Sequence, residues 1–211
     1  MKVLLVNGSP HRKGCTWTAL NEAAKTLNEE GIETEIFWIG IKPLAGCIAC
    51  KTCAKKGRCV FDDTVNEFLD IAKDADGFIF GSPVHYASAT GAMTSFMDRV
   101  FYTNMQAGRQ VFSLKPAAAV VSARRAGTTA TFDQLNKYFT ISEMPVISSR
   151  YWNMVHGAAP EDVEKDLEGL QTVRILARNM AFFLKCKEAG LRAGVKLPMQ
   201  EKTVFTNFIR D

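Results

Sequence analysis

Short apolar runs that break off into small, polar, glycine-bearing loops and then into helix-like stretches recur along this chain, and that alternation constrains its fold most. Residues 3–6, all apolar, read as a buried strand that runs into Gly8-Ser9-Pro10. A helical apolar period follows over residues 16–30, with Leu20, Ala24 and Leu27 on one face, and Gly31 stops it. The same reading places strands at residues 34–39, 77–80 and 117–121, and a short fifth strand at 145–147. Asp62 or Asp63 is placed to cap a helix carrying Val65, Phe68, Leu69 and Ala72. Another helix is expected from about Thr90, with Met93, Phe96, Met97 and Val100 inward, and one over residues 131–139. Pro160 suits the first turn of the longest helix, whose apolar side runs from Val163 and Leu167 to Phe183.

Five strands alternating with helices specify an α/β fold, a doubly wound parallel sheet with helices on both faces. Right-handed crossovers make the flavodoxin-like strand order 2-1-3-4-5 the natural arrangement. At 211 residues with 47% apolar composition, the chain can bury one full core. The expected domain covers residues 1–191 and includes a cysteine-rich loop at 43–61. Residues 192–211 form a tail whose apolar Phe205, Phe208 and Ile209 are expected to dock on this domain or on a neighbouring protomer. Lys and Arg exceed Asp and Glu by 26 − 22 = 4, with the charges scattered, so a basic nucleic-acid-binding face is not expected. The opening residues are too short for a secretory core, and no apolar run approaches a membrane span. A cytoplasmic setting is therefore expected, in which structural disulfides are rare.

In such a sheet, ligands bind beyond the carboxyl ends of the strands, where the strand order reverses. The loop after the first strand offers Ser9, His11, Arg12, Gly14, Cys15 and Thr16 directly before a helix. Backbone N–H groups, two hydroxyls and a helix N-terminus favour a dianionic phosphate there, although an ordinary polar turn uses the same residue types. Neither a P-loop nor a dinucleotide fingerprint is present. After the third strand, Pro83, Val84, His85 and Tyr86 combine small residues with a His-Tyr pair able to border a flat ring. Alternatively, His85 is a hydrogen-bonded loop residue and Tyr86 a core anchor. The loop after the fourth strand brings Ser122, Arg124 and Gly127, with Arg124 either stabilising an anionic ligand or solvated. Trp152 to Gly157 lies at the same sheet end, as a cover for a ring or as a loop packed by its own aromatic.

Gly8-Ser9-Pro10 with Gly14-x-Thr16 resembles the NAD(P)H-dependent FMN reductases and iron–sulfur flavoproteins. So do Gly81-Ser82-Pro83-Val84-x-Tyr86, Thr90-Gly91 and Phe96-x-Asp98-Arg99. The likeness continues through Asp166-Leu167-Glu168-Gly169 to Asn207-Phe208-Ile209-Arg210, nearly the whole chain. The resemblance implies a flavodoxin-like fold, FMN held by the three loops, hydride uptake from NADH or NADPH, and homodimers or homotetramers. His85 and Arg124 then become candidates for tuning the flavin, with no catalytic residue assigned. This chain has His11, Cys15 and Thr94 where relatives often carry Arg, Asn and Lys.

Four of the six cysteines, Cys47, Cys50, Cys53 and Cys59, fall within thirteen residues. Two-residue gaps with a fourth thiol nearby match the way one loop wraps a [4Fe–4S] cluster, and the resembled iron–sulfur flavoproteins use this compact spacing. Structural zinc, which prefers two separated knuckles, and free or redox-active thiols use the same residues. Cys186, on a presumed helix, is expected to be a small buried hydrophobe. The expected function is an FMN-dependent reductase taking electrons from NAD(P)H. Its acceptor would be a small molecule (a quinone, free flavin or nitro compound) or a protein. The rivals are a non-enzymatic electron carrier or redox sensor, and a zinc-stabilised binding module without flavin.

Overall fold

The computed structural model describes residues 1–211 apart from Arg109, Asn207, Arg210 and Asp211. Asn207 and Arg210, two of the residues that carry the resemblance, thus lie outside the described residues. Five strands form the parallel sheet: β1 (Lys2–Asn7), β2 (Glu33–Trp38), β3 (Gly77–His85), β5 (Ala117–Ala123) and β6 (Met154–His156). Their spatial order is β2-β1-β3-β5-β6, which is the expected 2-1-3-4-5 order once the two-residue β4 (Ser88–Ala89) is set aside. β4 pairs antiparallel with the end of β3, across a two-residue turn in which Tyr86 and Ala87 both take positive φ.

Alternation along the strands sends side chains to two separate cores. Leu4, Val6, Phe78 and Phe80 face α3 (Thr64–Ala72), α4 (Gly91–Gln106) and α5 (Thr128–Ile141), in a cluster joined by contacts among Phe68, Phe96, Phe101, Phe112 and Phe139. Val3, Leu5, Ile79 and Val120 face α1 (Cys15–Glu29) and α7 (Leu167–Arg192). A sheet buried on both faces needs continuous apolar strands, and Ala117 to Val121 has them. Asp63, one of the two caps the sequence offers, caps α3 by accepting from Val65 N–H, and Thr90, near which α4 is expected to start, caps it by accepting from Met93 N–H.

Several expectations need correction. The fifth strand is split: Val146 makes one parallel bridge to Ala117, the chain then leaves the sheet, and the ladder resumes at Met154–His156. Pro160 opens only the short α6 (Pro160–Val163). The long helix starts afresh at α7, because the Asp166 carboxylate accepts from both Gly169 N–H and His156 N–H and so ties the new helix to the end of β6. Cys186 is exposed, not buried, because it lies on the solvent side of α7. In the tail, Val204, Phe205 and Phe208 are exposed and do not pack on this chain. A short α2 (Thr52–Lys56) interrupts the expected irregular loop. Among the described residues no helix is long and apolar enough to cross a membrane.

Candidate active site

At the switch point the chain is drawn together by close backbone approaches. Gly8 N–H donates to Gly81 O at 2.8 Å. A Cβ on Gly81 would meet Leu20 at 2.8 Å and Thr16 at 2.9 Å, so glycine there lets the first turn of α1 lie against β3. Thr90 closes the arrangement: its hydroxyl donates to Gly8 O, and its N–H donates to the Ser82 hydroxyl.

The first loop folds around Asn7, a fully buried polar residue at the end of β1. Its amide accepts from Ser9 N–H and donates to Arg12 O, and Ser9 Oγ in turn accepts from His11 N–H. Trp38 Nε1 donates to Ser9 O and offers its ring face to the Arg12 guanidinium, 5.7 Å from the ring centroid. Gly14 is the N-cap of α1 and brings no capping side chain, so the first-turn N–H groups remain available to an anion.

These loops open on a pocket of about 260 Å³ beyond the carboxyl ends of β1, β3, β5 and β6. Of the sequence candidates, Ser9, His11, Cys15, Thr16, Pro83, Val84, His85, Ser122 and Arg124 line it. Thr16 and Ser122 hydroxyls meet at 2.8 Å. Cys15 Sγ lies 3.7 Å from Gly157 O, and burial pushes its thiol pKa up. Arg12, Gly14, Tyr86 and Gly127 stand outside the wall. Arg12 stacks on Trp38, Gly14 caps α1, and Tyr86 is fully exposed at the hairpin tip. Gly127, at φ 91°, lies so close beneath Ala87 and Val84 that a Cβ would come within 2.7 Å of Ala87 Cα. Sequence reasoning missed Ala123 and Ala158 as wall residues and Asn7 as the loop's organiser. A polar residue closing an apolar strand was the available signal for Asn7. Trp152, half exposed, packs on Tyr151, while Gly157 reaches the pocket.

Cys47, Cys50, Cys53 and Cys59 line a second, narrow pocket of about 20 Å³ with Phe61, Arg99 and Tyr102. All four are free thiols, and among the described residues no three side chains converge as a ready metal-ligand set. Burial raises the Cys53 thiol pKa, and the Thr52 side chain lowers that of Cys50. Beneath them lies Arg99, 1% exposed, a residue that sequence reasoning noted only as part of a motif. Its guanidinium makes a two-pronged pair with Asp63 at 2.8 and 2.9 Å and reaches Cys59 Sγ at 3.2 and 3.4 Å. Burial works against that charge, but hydrogen bonds to Asp63 and Cys59 outweigh it, and the pKa of Arg99 moves up from its ordinary value. Its inward position was readable from the spacing of Phe96, Arg99 and Val100 along α4.

The profile of the NADPH-dependent FMN reductase family matches residues 1–159. The chain belongs to this family. An iron-sulfur flavoprotein of Methanocaldococcus jannaschii is 35% identical, over 88% of this chain and 98% of that protein. An iron-sulfur flavoprotein of Methanosarcina thermophila is 26% identical, over 88% of this chain and 96% of its own. Among solved structures, an archaeal flavodoxin superposes with a TM-score of 0.58 at 16% identity, covering 88% of this chain and 99% of its own, which bears on the fold alone. Membership makes the protein a flavin oxidoreductase with FMN as its cofactor, which sets aside the flavin-free binding module. The first pocket suits that cofactor on chemical grounds: hydroxyls and uncapped helix N–H groups at one end, and small apolar Pro83, Val84 and Ala123 with Arg124 at the other.

Proposed function

We propose that this chain is an NAD(P)H-dependent reductase of the flavin- or quinone-reducing type, with one FMN in the pocket at the carboxyl edge of the sheet. We assign a [4Fe–4S] cluster to Cys47, Cys50, Cys53 and Cys59. The observation that carries the reading is the meeting of three loops and the N-terminus of α1 in one pocket at the switch point. When bound, FMN supplies hydride acceptance and one- or two-electron release, and the cluster supplies one-electron storage.

The chain's own residues bind and orient. Ser9, Thr16 and the first-turn N–H groups of α1 take the phosphate, with Arg12 adding charge beside the loop and His11 lining the wall. Gly14 keeps the loop open, and Cys15 contributes its backbone N–H. Pro83, Val84 and the hairpin carrying His85 and Tyr86 border the ring, and Gly127 supports that hairpin from below. Ser122 and Arg124 face the ring from β5, where the Arg124 cation offsets negative charge gained on reduction. Support for the cluster comes from four free thiols around one pocket and from relatives that are iron-sulfur flavoproteins by name. The electron acceptor belongs to the small-molecule class, or is a redox protein. Exposed Phe205 and Phe208, with Tyr151 and Trp152, support a homodimer or homotetramer.

The test is an absorption spectrum of protein purified without oxygen, with iron and sulfide assayed on the same sample and NADH and NADPH oxidation followed with a quinone acceptor. Flavin bands, roughly four irons per chain and turnover are expected. Flavin without iron removes the cluster, and flavin without turnover leaves an electron carrier.

A further inference from the structure

Among the cluster cysteines, Cys59 is held from three directions. Asn66, 2% exposed, accepts from Cys59 N–H at 2.9 Å and donates to Cys59 O at 3.1 Å and to Phe61 O at 2.9 Å. From α4, Arg99 aims two N–H groups at the Cys59 sulfur, 3.4 Å from Nε and 3.2 Å from Nη2. That guanidinium is fixed in turn by Asp63 and by the face of Phe61, 4.8 Å from the ring centroid. Asp63 is also the N-cap of α3, so the donor fork, the cap and the cysteine form one rigid unit. The other end of the loop is built differently: Cys47 and Cys50 are exposed, and Ala49 and Lys51 between them and Thr52 take positive φ.

A thiol is a weak acceptor, whereas a metal-bound thiolate sulfur is a strong one, so two N–H donors on one half-buried sulfur suit a ligated cysteine. We infer that Arg99 is a positioning residue for the iron site: locked by Asp63, it presents a fixed pair of N–H donors to the Cys59 sulfur and makes the bound cluster easier to reduce. The inference rests on the cluster reading above. Its physical basis is that one-electron reduction adds one negative charge at the site, and donors already aimed at a ligating sulfur stabilise the more negative state. Cys59 is then the preformed anchor, and the Cys47–Cys50 arm closes onto it.

R99K keeps a cation beside Asp63 but loses the planar fork, whereas R99Q loses the charge and leaves Asp63 unpaired. Both are purified without oxygen beside the wild type, with FMN, iron and sulfide per chain assayed and potentials read by spectroscopic titration. FMN content and flavin potential are expected to stay as in the wild type. The cluster potential is expected to move in the negative direction, further in R99Q than in R99K, and iron is expected to be lost to a chelator roughly tenfold faster. Should R99Q fail to fold, R99K alone decides. An unchanged cluster potential in a variant that folds and keeps its iron overturns the role of Arg99 and leaves the cluster reading intact. A wild type that binds FMN but no iron after anaerobic reconstitution overturns both.

Discussion

Thr16 and Ser122 come from opposite sides of the switch point, and both are buried, so their 2.8 Å hydroxyl contact has no solvent to fall back on. With two lone pairs and one proton each, the pair can satisfy itself and still offer one donor to a ligand. Thr16→Val keeps shape and removes the hydroxyl, leaving Ser122 without its partner. FMN affinity is expected to fall about tenfold, the cost of one buried hydrogen bond, as read by flavin fluorescence quenching. A dissociation constant within twofold of the wild type (roughly 0.4 kcal/mol) would show that this hydroxyl does not face the ligand. Asn66 gives a second test at the same scale, away from the flavin. Asn66→Ala strips three hydrogen bonds from the stretch around Cys59. About 3 kcal/mol of stability is expected to go with them, measurable by urea unfolding with FMN in excess.

On the aromatic face, α4 and α5 are tied as elements by a polar link. Tyr138 on α5 donates its phenol to the Asp98 carboxylate on α4. Burial, the hydrogen bond and the Asp98 charge all raise the phenol pKa in the folded state. An unfolded tyrosine titrates near pH 10, roughly its ordinary value, so the folded chain keeps the proton to higher pH than the unfolded one. The resulting stability is fully present below about pH 10 and is lost as pH rises beyond it. Tyr138→Phe is expected to cost about 1–2 kcal/mol at pH 8, with the gap to wild type closing above about pH 10. Burial lowers the Lys115 and Lys187 pKa values and works in the opposite direction, but equally in both proteins, so the difference isolates Tyr138. A constant gap across that range would show that the phenol does not titrate differently in the two states.

The elements also show what the sequence could convey. A cap at Asp62 or Asp63 and a helix start near Thr90 were legible because side chain and position agree with the apolar period that follows. The division of the fifth strand was not, because Met154–His156 is too short to show an apolar run of its own and is a strand through its pairing with the edge of β5. The restart at α7 was masked by periodicity. Leu167 falls in step with Val163 and Leu170 yet is 73% exposed, while the decisive group is the Asp166 carboxylate, whose two acceptor bonds join elements that sequence spacing does not connect. The pocket's loops were readable from glycines, hydroxyls and prolines at strand ends. Which of those residues face the pocket depends on details such as the stacking of Arg12 on Trp38, beyond local pattern.

At the scale of the whole molecule, the parallel arrangement puts the β1, β3 and β5 loops and the cysteine segment after β2 at one edge of the sheet, while the opposite edge carries structural pairs such as Lys2 with Asp76 and Glu35. Ligand binding at the first edge therefore acts on the entire fold, since it adds contacts that join several strands and α1 at once. A ligand bound to the folded state alone at about one hundred times its dissociation constant adds about 2.7 kcal/mol. For a chain of this size each kcal/mol moves the melting temperature by roughly 2–4 °C, so FMN added to flavin-free protein is expected to raise it by about 5–10 °C. Riboflavin separates the parts of the site. It keeps the ring but lacks the phosphate, and the uncapped N-terminus of α1, with Ser9 and Thr16, offers most of the pocket's complementarity to that phosphate. At equal concentration riboflavin is expected to produce much the smaller shift, with inorganic phosphate partly competing against FMN. Equal shifts from the two flavins would move the binding energy to the ring end, among Pro83, Val84 and Arg124, and would remove the phosphate role from the loop that Asn7 organises.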